Sequence, residues 1–243
     1  MTRTTSTPFE PGEIVSHAAM CLAVGASLQR GMNFRLPTGA TVILMSRRPG
    51  APYKDQVSDD GRTLIYEGHD CSKSVHQYPK QVDQPDRNPS GTFTQNGLFA
   101  EAVRRFKKLG EAAERVLVFE KLRDGIWVYN GIFDLVDYAV DSSSGRQVFN
   151  FTLTISSSEA DWTGQNVDQH EIRTLVDDDR IIPSWVKLEV WKRDKGRCVK
   201  CGAHDHLHFD HIIPYIKGGS SKDPLNIQIL CLRHNLQKRD KIE

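Results

Sequence analysis

Two pairs of soft or borderline ligands stand near the end of the chain. Cys198 and Cys201 form a C-x2-C pair, and 29 residues further on Cys231 and His234 form a second pair with the same spacing. Two short knuckles of this kind can close a tetrahedron around one zinc ion; four protein ligands leave no open position, so such a zinc is structural. A unit of ~60 residues has little core of its own, and a bound metal offsets that deficit. Between the pairs, "HLHFDHIIPYIKGG" carries His206, His208, Asp210 and His211. With the zinc already satisfied, Asp210 and His211 remain as an oxygen-plus-imidazole pair available for other chemistry.

The elements that must position these residues can be read from local pattern. "LHFDHIIP" reads as a short strand whose successive side chains point to opposite faces. "YIKGGSSKDPLN" is a glycine-rich return, and "IQILCLRHNLQKRDK" runs into a helix that carries the second knuckle. Upstream, Ser184 is expected to cap a helix over "WVKLEVWKRDK" that stops at Gly196, with Trp185, Leu188 and Trp191 on its buried face. His208 shares a strand face with Asp210, where it can either touch substrate or simply pack.

In their order, "CVKC", "FDHIIP", "KGGSSKDPLNIQILC" and "RHNLQK" resemble the HNH, or ββα-metal, nuclease family. The resemblance implies phosphodiester hydrolysis, which needs a nucleophilic water, charge neutralisation at phosphorus and help for the leaving oxygen. His211 is then the general base, since a neutral imidazole can accept the water's proton near pH 7. Asn226 is expected to fix the orientation of His211. Asp210 and Asn235 are expected to hold a catalytic divalent cation, Mg²⁺ or Mn²⁺, because oxygen donors suit hard ions while thiolates take zinc. Asn235 stands where the family often has histidine. A competing assignment puts His234 on the catalytic ion, which would leave the zinc with three ligands.

Roughly the first 155 residues look strand-rich. "ATVILMS", "RTLIY", "RVLVFEKL", "GIWVYNGIFDLVDYAV" and "RQVFNFTLTI" are rich in β-branched and aromatic residues. A helix is expected over "NGLFAEAVRRFKKLG", with Phe99, Ala102, Val103 and Phe106 at helical spacing and Gly110 at its end. Its other face carries Arg104, Arg105, Lys107 and Lys108, either solvated or phosphate-contacting. An earlier helix is expected over "GEIVSHAAMCLAVGASLQ". Tyr53 and Tyr66 flank a polar segment with Asp55, Gln56, Asp59 and Asp60. Aromatic faces can sandwich an extruded nucleobase while a carboxylate or amide reads its edge, although tyrosines beside acids are also ordinary sheet-edge residues.

The succession "YKDQV", "LIYEGHD", "DQPDRNPSGTFTQNGLFAEA" and "YNGIFDLVDY" resembles the SRA family of the PUA-like superfold, which flips modified cytosine out of duplex DNA. The resemblance implies that Tyr53 and Tyr66 stack on the flipped base. Gln56 stands where the family usually has the aspartate that accepts from the cytosine amino group, and Glu67 where it usually has threonine. Asp55 or Gln56 is left as the acceptor, and 5-methylcytosine or 5-hydroxymethylcytosine as the base.

The chain has 243 residues and a net charge of +1. That balance hides a basic C-terminal part, with twelve Lys/Arg against seven Asp/Glu from Ile181 onward, compatible with nucleic-acid contact. No run of about 18 apolar residues suggests a membrane span, and the opening "MTRTTSTPFEPGE" lacks the apolar core of a signal peptide. The five cysteines suggest reduced thiols and metal binding in a prokaryotic cytoplasm. The expected architecture is α+β: an SRA-like curved sheet with flanking helices over 1–160, a linker over 161–180, and a zinc-braced HNH unit over 181–243. The function these readings imply is a modification-dependent restriction endonuclease acting on double-stranded DNA, as a homodimer at least on DNA. The alternatives are a non-catalytic reader of modified DNA, and a nuclease whose first unit binds unmodified DNA or RNA.

Overall fold

The computed structural model describes residues 8–58, 61–143, 145–156, 181–214, 217–238 and 242. The segment expected as a linker, 161–180, and the carboxylates at 59 and 60 lie outside the described residues. The long β-branched and aromatic runs form β6 (Glu114–Arg123), β7 (Ile126–Asp141) and β8 (Val148–Ile155), which pair antiparallel. Around them lie β1 (Glu13–Ser16), β2 (Met32–Asn33), β3 (Thr41–Met45), β4 (Gln56–Val57), β5 (Thr63–Glu67), β9 (Leu207–His211) and β10 (Ile227–Cys231). All ten belong to one mixed sheet, in the order β10-β9-β1-β7-β6-β3-β2, with β8, β5 and β4 branching from β7. The β3–β6 pair is parallel, and the other pairs are antiparallel.

Among the described residues, four α-helices flank this sheet: α1 (His17–Val24), α2 (Gln95–Leu109), α3 (Ser184–Arg193) and α4 (Leu232–Lys238). The longest, α2, fits its sequence pattern: Thr94 caps its first turn, Gly110 ends it with positive φ, and Phe99, Ala100 and Val103 bury against Ile43, Val118, Phe133 and Phe151. Its basic face pairs within the fold, Arg104 and Arg105 with Glu101 and Lys107 with Asp137. On the opposite sheet face, Met20 and Val24 of α1 pack on Val42, Leu117, Phe119 and Tyr129. Among the described residues, no helix is long and apolar enough to cross a membrane.

Two local expectations are corrected. The segment "GEIVSHAAMC" does not start as a helix, because Glu13–Ser16 is recruited as β1 between β7 and β9. In α3, Ser184 is the first helical residue rather than the cap; its hydroxyl donates to Glu120 instead of accepting from the N–H groups of the first turn. The buried face of α3 is Val186, Lys187 and Val190, while Trp185 is 53% exposed and Leu188 and Trp191 are only partly covered. The helix is turned by about one residue from the expected phase because Lys187 is drawn inward by Glu120.

Candidate functional sites

β9 and β10 form a hairpin joined by the glycine-rich return, and β10 runs directly into α4. This brings Cys198, Cys201, Cys231 and His234 together, all four ligand atoms lying within 4.8 Å of one another. His234 Nδ1 is 3.3 Å from both Cys198 Sγ and Cys231 Sγ, and Cys201 Sγ is 3.8 Å from Cys231 Sγ. Sulfurs bound tetrahedrally at about 2.3 Å from zinc would stand ~3.8 Å apart, so the cluster has the size of a zinc site. Burial pushes the Cys198 thiol up, but backbone N–H groups of Cys231, Cys201 and Lys200, with the His234 ring, outweigh it and bring it down to about 6. A thiol so poised is readily a thiolate, the form that binds metal. His234 thus sits with the cysteines.

Asp210 and His211 stand at the end of β9, away from the thiol cluster's ligand set. The His211 ring is held by Ser221, with Nε2 2.8 Å from the hydroxyl. Asn226, expected to fix the orientation of His211, bonds the loop that follows it. Its side chain accepts from Ile213 N–H at 2.8 Å and donates to the carbonyls of Ile213 and Ser220, so it pins the chain just after His211. Gly219 permits this, since a Cβ there would lie 1.8 Å from Ile213 O and 2.7 Å from Asn226 Nδ2. Burial, and then the Lys238 ammonium, bring the His211 imidazole down to about 4. It is therefore neutral at physiological pH.

Lys238 is the residue that sequence reasoning missed here. It is buried at the end of α4, 3.0 Å from Asp210 Oδ2 and 2.5 Å from His211 O. Gln228 also donates to Asp210, at 3.2 Å. Asn235 is half-buried on α4, one turn before Lys238. The expected ligands of the catalytic cation, the Asp210 carboxylate and the Asn235 amide oxygen, would be hard oxygen donors of the kind that suit Mg²⁺ or Mn²⁺. His208, in contrast, is 2% exposed and packs inside, its Nε2 3.9 Å from the carboxylates of Glu10 and Glu13.

A second site lies in the N-terminal part, an open cleft of about 780 Å³ lined by Tyr53, Asp55, Tyr66 and His69, with Arg30, Arg48, Lys121 and Trp127 also on its wall. Tyr53 does not face Tyr66 as one half of a tyrosine sandwich. Its ring stacks on His69, with centroids 5.1 Å apart and planes 15° from parallel. The Tyr66 ring is packed in the core, and its hydroxyl meets His69 Nε2 at 3.1 Å. Gly31 leaves room for that pair, because a Cβ there would lie 2.4 Å from the Tyr66 oxygen. Asn96 clamps the His69 backbone on both its N–H and its carbonyl. His69 is quoted within "LIYEGHD", but only its three-dimensional neighbours give it a role.

Asp55 is buried and lines the cleft, accepting from Ser46 N–H at 3.0 Å and Glu67 N–H at 3.3 Å. Burial lifts its carboxyl to about 7. Gln56 is exposed on β4 and Glu67 is turned to Lys54 N–H and Arg146, so neither lines the cleft. The Nε of Arg48 is buried with no hydrogen-bond partner among the described residues.

Comparison with known proteins follows this division. Residues 198–241 match the HNH endonuclease family. The C-terminal part of the chain is an HNH endonuclease domain, and the protein is accordingly a nuclease. No curated protein matches the chain. Among solved structures, the SUVH5 SRA domain with hemi-methylated CG DNA is 23% identical over 63% of this chain and 92% of that one, with a TM-score of 0.44. The SUVH5 SRA domain with fully hydroxymethylated CG DNA gives 20%, 62%, 92% and 0.42 in the same measures. The Type IV phosphorothioation-dependent restriction endonuclease ScoMcrA is 16% identical, covering 96% of this chain and 55% of that chain, with a TM-score of 0.40.

Proposed function

We propose that the protein is a modification-dependent restriction endonuclease: the cleft accepts a modified cytosine flipped from double-stranded DNA, and the HNH centre hydrolyses a phosphodiester bond of the same DNA. The observation that carries the reading is the lining of the cleft. A flat aromatic pair, Tyr53 and His69, offers a stacking face, and Asp55 offers a carboxyl at its wall. Arg30, Arg48 and Lys121 supply cations at its wall, Arg48 and Lys121 sharing the carboxylate of Asp124. Aromatic stacking, an edge-reading carboxyl and surrounding cations are what an extruded nucleotide requires. Asp55 rather than Gln56 is the acceptor in this reading, since ionised it accepts from a cytosine amino group and protonated it can donate to the ring nitrogen.

In the HNH centre, neutral His211 takes a proton from the attacking water, and Ser221 and the Asn226-pinned loop hold its ring in place. The negative phosphate raises the basicity of His211 toward working pH. A divalent cation on Asp210 and Asn235 would supply charge neutralisation at the phosphate. One such centre serves one strand, so a double-strand break calls for two copies of the chain. The test compares unmodified, methylated and hydroxymethylated duplexes of one sequence, with Mg²⁺ and with Mn²⁺, for the native protein and His211→Ala. Modification-dependent cleavage, lost in His211→Ala with binding retained, is expected. Equal cutting of all three duplexes would refute the cleft's role, and undiminished cutting by His211→Ala would refute the base.

A further inference from the structure

The strands β6 and β7 help line the cleft and also pack against the C-terminal part of the chain. Lys121 and Trp127 line the cleft and are direct partners across the pair. Their neighbours Glu120, Leu122 and Val128 point to the other side, as strand alternation requires. That side is where the nuclease domain docks: Leu122 and Val128 share a core with Val186, Val190, Leu207 and Phe209. At its centre lies a desolvated polar knot. Lys187 Nζ of α3 is 2.6 Å from Glu120 Oε2 and 2.7 Å from Asn130 Oδ1; Ser184 donates to the other Glu120 oxygen, and Asn130 donates to Oε2 at 3.2 Å. Both charged side chains are at most 3% exposed.

Apolar packing alone tolerates sliding, whereas a buried ion pair does not, because any other docking leaves a charge unpaired in a low-dielectric interior. The backbone adds a second constraint. β1 pairs with β7 on one side and β9 on the other, so Ile14 stands opposite both Val128 and Leu207. Gly12 donates to Tyr129 O at 2.8 Å and accepts from Phe209 N–H at 3.1 Å.

We propose that the Glu120–Lys187 knot and the β1 bridge are a positioning device, which holds the hydrolytic centre at one fixed offset from the base cleft, so that cleavage falls at a single distance from the modified base. Lys187 and Glu120 are positioning residues: they touch neither site's substrate, and they act by fixing where His211 meets the DNA. This rests on the function proposed above.

The test maps cut positions at nucleotide resolution on duplexes carrying one modified cytosine, together with hydrogen exchange of the β1, β9 and α3 amides in the full chain. The native protein is expected to cut at one offset and to protect all three elements together. Lys187→Met should spread the cuts over several positions and speed exchange in α3 at least tenfold, with affinity for the modified duplex changed less than twofold. Glu120→Leu combined with Lys187→Met restores an apolar contact and should return both protection and the single offset. Should Lys187→Met not fold, the native cut pattern and the double variant still decide. Dispersed cuts by the native protein, or a Lys187→Met protein with unaltered cuts and exchange, would overturn the proposal. Failure of the functional reading looks different: cleavage would ignore the modification while the exchange data kept their pattern.

Discussion

Asp55 gives a prediction whose size follows from the structure. Its carboxyl is lifted from 3.8 to about 7, chiefly by burial, so ionising it costs about 4 kcal/mol more in the folded chain than in the unfolded one. Between those two values the folded state holds more protons than the unfolded state, so stability falls as pH rises through the window. Asp55 therefore withdraws under ~2 kcal/mol at pH 5 and about 4 kcal/mol at pH 8, a difference of ~3 kcal/mol. Asp55→Asn abolishes the ionisation but keeps a single carbonyl acceptor. Of the two N–H donors that Asp55 satisfies, on Ser46 and Glu67, one is left unpaired, at a cost of about 1–3 kcal/mol.

The variant should thus be near neutral or mildly destabilised at pH 5 and more stable than the native protein by ~1–3 kcal/mol at pH 8. Urea unfolding of both proteins at half-unit pH steps from 5 to 8.5 checks this, and taking the difference between them removes every other titrating group. A difference that stays flat across the range, or that favours the native protein increasingly as pH rises, would show that Asp55 is not held neutral by burial. A chain that destabilises itself to keep this carboxyl indoors is consistent with strain kept at a functional site.

Metal analysis should find one zinc per chain, with strong chelation or Cys231→Ser removing it and destabilising α4 and the β9–β10 hairpin, read as lost amide protection there; full protection without metal would refute the zinc brace. Tyr53→Ala should weaken binding of a modified duplex by about 1–3 kcal/mol, the worth of a base–aromatic stack, with little effect on nicking of DNA bound non-specifically; unchanged affinity would remove Tyr53 from the pocket. Lys238→Met leaves Asp210 and the His211 carbonyl without their shared donor. A stability loss of ~2–3 kcal/mol is expected, and a denaturant midpoint equal to the native one would show the pair to be idle.

What could be read in advance was whatever is decided locally. The Cys198, Cys201, Cys231 and His234 cluster is marked by residue type and spacing within two short knuckles, so its convergence was legible, as was α2 from Phe99, Ala102, Val103 and Phe106 and its capping glycine. The strands β6 to β8 announce themselves by composition. What could not be read depends on partners distant in sequence. Glu13–Ser16 has a local pattern that suits helix or strand, and pairing on both sides decides for strand. Lys187 reads as a solvated charge until Glu120, 67 positions earlier, turns it inward and rotates α3 about its axis. Tyr53 and Tyr66 were paired by resemblance; in the fold Tyr53 stacks on His69, while the Tyr66 ring joins the core and its hydroxyl meets the same histidine.

The question raised by Asp210 and His211 beside a complete zinc site has an answer in α4. His234 and Asn235 are successive residues, about 100° apart around a helix. One ring therefore joins the thiol cluster while the next side chain stands on the flank that Lys238 turns to Asp210. Fixing His234 to the cysteines sets the rotation of the whole helix, and with it the positions of Asn235 and Lys238. Under the proposed function, the thiol cluster therefore sets the geometry of the Asp210–Asn235 cation site without sharing a ligand with it. Stripping the zinc should then disable hydrolysis even though no zinc-bound atom takes part in the chemistry, and a gain of Mg²⁺ or Mn²⁺ concentration should not compensate, because the loss is one of orientation rather than occupancy.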